Sequence, residues 1–289
     1  MYWRCYRRMA AAFLLLAGLS ACGTTGDSRW SDLPLSDEPL AGKFVWHDLI
    51  TDDVSAVRRF YSGLFGWKYE ETRLPNGNPY TLIVADGRYI GGIVQLDDPS
   101  GVEYSRWLGY LSVPDVDEAV ETTRAAGGTA VVDPLDLGQI GRAAAIKDPQ
   151  GAVVGLLRSK VGDPDDSEVA RAGHIVWNEL LAADDQAASA FYASISGANA
   201  KAIERRGGQY ILLQSQGRDR AGIMRRPADD IDPLWLTHFA VADPVTASGR
   251  AGELGGEVLL PPSADLREGS LALVVDPTGA VLALQRLAE

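Results

Sequence analysis

The run Phe44-Val45-Trp46-His47-Asp48-Leu49 returns as Ile175-Val176-Trp177-Asn178-Glu179-Leu180, and this repetition decides the fold. Working outward from it, Asp53 matches Asp184 and Phe60-Tyr61 matches Phe191-Tyr192, all at an offset of 131 (177 − 46). Farther on the offset is 128 (235 − 107). It relates Trp107 to Trp235, Asp115 to Asp243, Gly127-Gly128 to Gly255-Gly256, and Asp148-Pro149-x-Gly151 to Asp276-Pro277-x-Gly279. Self-similarity at a fixed period marks tandem structural units. The second copy is a net three residues shorter between Gly66 and Trp107 (131 − 128), which places the deletion in loop sequence.

Each copy divides again into two similar halves. An extended segment at 44–50 precedes a helix carrying Val57, Phe60, Tyr61 and Leu64 at helical spacing, and strands follow at Lys68–Thr72, Tyr80–Val84 and Tyr89–Gln95. The order recurs as a strand at 107–113, a helix at 115–126, and strands near 130–132, 143–147 and 152–157. Asp148-Pro149-Gln150-Gly151 suits a type I turn, with Asp first, Pro second and Gly fourth. The chain is therefore expected to be α+β, with a βαβββ motif four times and two tandem modules at 43–158 and 173–289. Residues 159–172, with Gly162-Asp163-Pro164-Asp165-Asp166, read as a linker.

The N-terminal segment carries Arg4, Arg7 and Arg8 without an acid, followed by the apolar run from Ala10 to Gly18. That run is too short to cross a bilayer, which needs about 20 apolar residues, but it suits a signal-peptide core. Leu19-Ser20-Ala21-Cys22 resembles a bacterial lipobox, so residues 1–21 read as a lipoprotein signal, Cys22 as the lipidated residue and 22–42 as a flexible tether. That resemblance implies stable anchoring by more than one acyl chain in the cell envelope. Gly23, where an Asp would signal retention, favours the outer membrane facing the periplasm. Cys5 falls in the discarded segment, so the mature chain has neither a disulfide nor a cysteine nucleophile. The formal net charge is −12, and −15 once Arg4, Arg7 and Arg8 are removed, which disfavours nucleic-acid binding.

Trp-x-Asp/Glu-Leu, Asp-x6-Phe-Tyr, a paired Gly and Asp-Pro-x-Gly, in this order and spacing, resemble the vicinal oxygen chelate superfamily. That superfamily includes glyoxalase I, extradiol dioxygenases and bleomycin-resistance proteins. The resemblance runs from Lys43 to Leu287, apart from the linker. It implies that paired βαβββ units form a cupped, mixed eight-stranded sheet in each module. A small ligand would sit in the cup and the helices on the outer face.

The resemblance also implies a divalent metal in enzymatic members, held by His and Glu on the first and last strands of each half. The first-strand ligand stands seven residues before the Asp that opens the helix. Counted back from Asp53, Asp115, Asp184 and Asp243, the register gives Trp46, Leu108, Trp177 and Leu236. The last-strand acid stands four residues beyond the turn glycine, which gives Gly155 and Ala283. Neutral imidazoles and carboxylates are what such a site needs, so no metal ligand and no cofactor are expected. His47 is one residue out of register, and strand alternation turns it toward the helices. His174 stands at a strand entrance and reads as a surface residue.

Side chains two apart share a strand face, so Trp46 with Asp48, and Trp177 with Glu179, would line the cups. From the second halves come Tyr110 and His238. Asp48 with Tyr110, and Glu179 with His238, are the candidate polar pairs, either as structural hydrogen bonds or as contacts to a ligand. Indoles at former ligand positions suit stacking of a planar hydrophobic molecule, or else they fill the cup themselves. Trp107 and Trp235 are one position out of register and read as packing residues. Three functions follow in order: a lipid-anchored, metal-independent small-molecule-binding protein without catalysis; a glyoxalase- or dioxygenase-like enzyme with relocated ligands; and an envelope interaction scaffold. The two modules are also expected to pair within the chain.

Overall fold

The computed structural model describes residues 36, 38–74, 77–96, 105–166, 170–205, 208–265 and 267–287. The signal segment, Cys22 and tether residues 23–35 lie outside the described residues. The first half runs β1 (Phe44–Thr51), α1 (Val54–Phe65), β2 (Lys68–Arg73), β3 (Pro79–Ala85) and β4 (Arg88–Gln95). The second runs β5 (Arg106–Ser112), α2 (Val116–Ala125), β6 (Thr129–Asp136), β7 (Gly141–Lys147) and β8 (Val153–Ser159). The third runs β9 (Ile175–Ala182), α3 (Asp185–Ser196), β10 (Asn199–Arg205), β11 (Gly208–Ser215) and β12 (Arg218–Arg225). The fourth runs β13 (Leu234–Val241), α4 (Pro244–Glu253), β14 (Glu257–Leu260), β15 (Leu271–Val275) and β16 (Val281–Arg286). The sheet orders are β2-β3-β4-β1-β5-β8-β7-β6 and β10-β11-β12-β9-β13-β16-β15-β14, so the fourfold βαβββ expectation is met in two mixed sheets.

The repeated Asp residues are the helix starts. Asp53 accepts from Ala56 N (2.8 Å), Asp115 from Glu118 N (3.0 Å), Asp184 from Ala187 N (2.9 Å) and Asp243 from Thr246 N (3.0 Å). Each carboxylate satisfies a first-turn amide that has no partner inside its helix. Gly66 and Gly197 end α1 and α3 in the left-handed region, at φ 75° and 69°, where a β-carbon is costly. The deletion in the second copy is split between two loops. Tyr80 and Tyr210 are already related by 130, so one residue is lost at the β2–β3 turn and the other two between β4 and β5.

Compactness does not follow the sequence modules. One unit comprises the described residues up to Val45 together with Gly109–Asp166 and Asn178–Trp235, so it joins the second half to the third. The other comprises Trp46–Leu108, Ser167–Trp177 and the described residues from Leu236, joining the first half to the fourth. In the first unit, Leu111, Val120, Ile146 and Leu156 share a core with Leu180, Phe191, Tyr192 and Ile223. In the second, Leu49, Phe60, Trp67 and Ile83 share one with Phe239, Val274, Leu282 and Leu284.

Each core is pinned by the same three-residue chain. In the first unit Trp235 Nε1 donates to Tyr192 Oη (2.8 Å), which donates to Asp148 Oδ2 (2.9 Å). In the second, Trp107 Nε1 donates to Tyr61 Oη (2.9 Å), which donates to Asp276 Oδ2 (3.0 Å). The other carboxylate oxygen of each Asp holds its own Asp-Pro-x-Gly turn. Asp148 Oδ1 accepts from the amides of Gln150, Gly151 and Ala152, and Asp276 Oδ1 from those of Thr278 and Ala280. Trp107 and Trp235, expected as packing residues, are buried in these cores with a polar role added. Burial raises the Asp148 and Asp276 carboxyls above the ordinary range, against the lowering effect of these hydrogen bonds.

Two acids of the linker, Asp163 and Asp166, are anchored by side-chain contacts. Asp163 is fully buried, and its Oδ2 accepts from Leu40 N (2.5 Å) and Ser112 Oγ (2.7 Å). Ser36 bonds the backbone of the same residue, with its N and its Oγ both donating to Asp163 O (2.8 and 3.0 Å). Asp166 takes Lys43 Nζ (3.0 Å) and the buried Arg220 guanidinium (2.7 Å). Burial alone would raise its carboxyl; the hydrogen bonds from Arg220 and Lys43 outweigh that and hold it at about 2. His174 departs from its surface reading. It is 7% exposed, with Nε2 3.5 Å from Asp86 Oδ2, because the chain around it adds to β13. Gly173 N donates to Ala240 O, Ala240 N donates to His174 O, and the Trp67 indole donates to Gly173 O.

Tyr192→Phe leaves a buried indole N–H and a buried carboxylate each short of a partner, and is expected to cost about 1–3 kcal/mol in urea unfolding. A loss near zero would show that the chain is not structural. The raised carboxyls also fix a sign for pH. A folded-state pKa above the unfolded value means the native state binds the extra proton, so the contribution of Asp148 grows as pH falls through its folded pKa and is complete below about 3.8. The stability difference between wild type and Asp148→Asn should therefore change between neutral pH and pH 4; parallel pH profiles would contradict it.

Candidate functional site

Strand alternation puts Trp46 and Asp48 on the face of β1 opposite Leu49, which packs with α1. There Asp48 Oδ1 accepts from Tyr80 Oη (2.6 Å) and from Trp46 Nε1 (3.0 Å), and Trp46 Nε1 also lies 2.8 Å from Tyr80 Oη. The three close into a triangle in which Asp48 and Tyr80 are buried and Trp46 is half-buried. His47 is buried on the other strand face, as alternation requires.

The third half repeats the carboxylate–tyrosine contact. Glu179, 2% exposed, accepts from Tyr210 Oη at 2.6 Å. The Arg205 guanidinium lies over the Tyr210 ring, 4.0 Å from its centroid, a cation–π stack. Tyr80 and Tyr210 were not among the candidates from sequence. Their signal was available: they recur at an offset of 130, and so do Gly92 and Gly222.

Those glycines explain how the tyrosines reach. Asp48 pairs with Gly92 across the parallel β1–β4 ladder, and Glu179 with Gly222 across β9–β12. A β-carbon on Gly92 would overlap the Tyr80 hydroxyl, and one on Gly222 the Tyr210 hydroxyl. The bare backbone lets each ring cross the neighbouring strand. The second half uses the same device, since Tyr110 pairs with Gly155, over which its ring lies. In the fourth, His238 pairs with Ala283. His238 is fully buried, and its Nδ1 is 2.8 Å from Gln285 Oε1, a contact made when Nδ1 carries the proton.

The residues of each expected pair, Asp48 with Tyr110 and Glu179 with His238, are assigned to different compact units. The partners the structure gives the carboxylates inside their own units are Tyr80 and Trp46 for Asp48, and Tyr210 for Glu179. Trp177 shares the strand face of Glu179 and is half-buried.

Comparison with known proteins bears on this arrangement. The family model of the glyoxalase-like domain matches residues 45–157. CFP32 of Mycobacterium tuberculosis, named as a candidate glyoxylase, is 32% identical over 258 residues, spanning 87% of this chain and 97% of that protein. The chain belongs to the vicinal oxygen chelate superfamily. Another relative, the anthracycline biosynthesis protein DnrV of Streptomyces peucetius, is 30% identical over 86% of this chain and 94% of its own length. Solved vicinal oxygen chelate structures share the fold. The Mn(II)-bound glyoxalase of Novosphingobium aromaticivorans matches at TM-score 0.57 and 16% identity, covering 86% of this chain and 83% of that one. The 2,3-dioxygenase LapB of Pseudomonas sp. KL28 matches at 0.54 and 13%, covering 87% and 94%.

The divalent metal of the vicinal oxygen chelate enzymes does not fit the residues present. Trp46, Leu108, Trp177 and Leu236 stand at the first-strand positions. Gly92, Gly155, Gly222 and Ala283 stand beside the polar site residues on the last strands, and tyrosine rings cover the three glycines. Among the described residues, no three His, Cys, Asp or Glu side chains cluster as a metal site. What the arrangement offers instead is a carboxylate oriented by phenol and indole donors.

Gly92→Ala forces the Tyr80 ring out of its place and is expected to destabilise the protein by about 1–3 kcal/mol, the usual cost of overpacking. Adding Tyr80→Ala should recover part of that loss, giving a coupling measurable in a double-mutant cycle. Strict additivity would mean that the glycine is not kept for the ring.

Proposed function

We propose that the chain is a lipid-anchored envelope protein that holds a small, planar aromatic molecule without a metal and without catalysis. The observation that carries this reading is the exchange of ligand-type residues for aromatic and small ones on an intact fold. Trp46 stands at the register position of a metal ligand, with its indole oriented by Asp48 and Tyr80. A half-buried indole fixed by hydrogen bonds loses little freedom on stacking, and the carboxylate beside it orients a ligand bearing hydroxyl or amine donors. The first unit offers a related surface in Glu179 and Tyr210. Two relatives bear the names of anthracycline biosynthesis proteins, and anthracyclines are planar polycyclic molecules, which supports the same ligand class. The lipobox-like Leu19-Ser20-Ala21-Cys22 supports attachment at Cys22 and a place in the cell envelope.

A second reading is favoured by one relative's name. CFP32 is named as a candidate glyoxylase, so an enzyme with relocated ligands, drawn from His47, Asp48, Glu179 and His238, is the competing function.

One pair of titrations on the chain lacking residues 1–22 separates the two. 1,8-Dihydroxyanthraquinone should quench tryptophan fluorescence saturably, with the affinity falling roughly tenfold in Trp46→Ala. Calorimetry with zinc, nickel, manganese and ferrous iron should show no stoichiometric binding. Tight metal binding lost in Asp48→Ala or Glu179→Ala would overturn the metal-independent reading in favour of the enzyme with relocated ligands.

A further inference from the structure

The two compact units differ where the end of α2, the 148–151 turn and α3 meet in the first unit. A depression of about 300 Å³ is lined there by residues of all three segments, among them Ala126, Gln150, Ala187, Ala188, Phe191 and Ser194. The repeat offsets give the corresponding residues of the second unit: Leu254 for Ala126, Val57 for Ala188, Phe60 for Phe191 and Gly63 for Ser194. In that unit the isobutyl group of Leu254 lies over Gly63 so closely that a β-carbon there would be 2.6 Å from Leu254 Cδ2. Leucine and glycine are thus a matched pair, the side chain of one occupying the room left by the other. The first unit carries the opposite pair, alanine and serine, and Ala188 is also smaller than Val57. Ala126 (φ −82°, ψ 0°) and Leu254 (φ −85°, ψ 6°) end their helices alike, so the two side chains leave equivalent cap positions.

The polar groups around the depression are already engaged within the unit. Asp148 is bonded to Tyr192 and to the turn amides. Both ends of the Gln150 carboxamide are spent on Asp184, accepting from its N–H and donating to its carbonyl. The Ser194 hydroxyl donates to Phe191 O at 2.7 Å. What faces outward is mostly alkyl and ring carbon, and the volume is at the lower end of the range of small-ligand sites.

We infer that this depression is a binding site for a small, neutral, branched aliphatic group, the chemical equivalent of the leucine side chain that fills the same place in the second unit. It is separate from the face around Trp46 and does not depend on the function proposed for that face.

The test is NMR of the chain lacking residues 1–22 with ¹³C-methyl alanine, titrated with 3-methylbutan-1-ol. Saturable shifts are expected at the methyls of Ala126, Ala187 and Ala188, assigned by single substitutions. The variant Ala126→Leu/Ser194→Gly installs the second unit's own pair of residues at the equivalent positions. It is expected to abolish those shifts and to raise the melting temperature. Absence of saturable shifts in the unsubstituted protein would overturn the site, as would shifts that survive unchanged in the double variant. A double variant that melts lower yet still loses the shifts is checked with Ala126→Val, which must weaken binding while leaving the remaining alanine spectrum unaltered. If it does not weaken binding, the site is refuted.

Discussion

The chain Trp–Tyr–Asp is the constraint on which the rest of the molecule depends. A tyrosine from one half of the repeat donates to the turn aspartate of another half that is far away in sequence, and an indole donates to that tyrosine in turn. Tyr61 and Asp276 are 215 residues apart. The carboxylate is shared: one oxygen holds its own Asp-Pro-x-Gly turn, the other holds the opposing helix through the tyrosine. Burial makes the arrangement costly for a charged group, and the hydrogen bonds offset that cost in part, leaving both carboxyls raised. The turn, the helix packing and the pairing of halves are therefore one cooperative feature, repeated once in each compact unit.

The site face follows from a second constraint, the room over a glycine. A tyrosine can reach a carboxylate across the neighbouring strand only if that strand presents no β-carbon, and this is arranged at Gly92 and Gly222. Gly155 does the same for the Tyr110 ring. These substitutions bear directly on chemistry. Positions beside the first-strand side chains, where the superfamily's enzymes place acids, are taken by backbone with aromatic rings over it. On this face the described contacts are hydrogen bonds between side chains and rings over bare backbone.

Much of this was legible beforehand. The four aspartates counted as helix openers do cap α1, α2, α3 and α4, because a short acceptor before an apolar helical run has little else to do. Alternation placed His47 on the helix side and Trp107 and Trp235 in the packing layer, since the period of a strand leaves no choice. His174 was misread because nothing local shows that the chain beside it becomes an added segment of β13. Tyr80 and Tyr210 escaped notice because a tyrosine in a strand is unremarkable until the glycine opposite it is known. That opposition is a matter of strand register, not of spacing along the chain.

The sequence by itself determined the repeat, the element order, the helix caps and the loss of metal-type residues from the strand positions that define the superfamily's site. Each of these is a local property, written in the spacing of neighbouring residues. Only the tertiary structure decided which half packs on which, that Asp48 and Glu179 are held by tyrosines, and that Leu254 fills in one unit the space that Ala126 leaves open in the other. Four similar halves satisfy the same local rules in any pairing. The choice among pairings is made by side chains from distant segments competing for the same space.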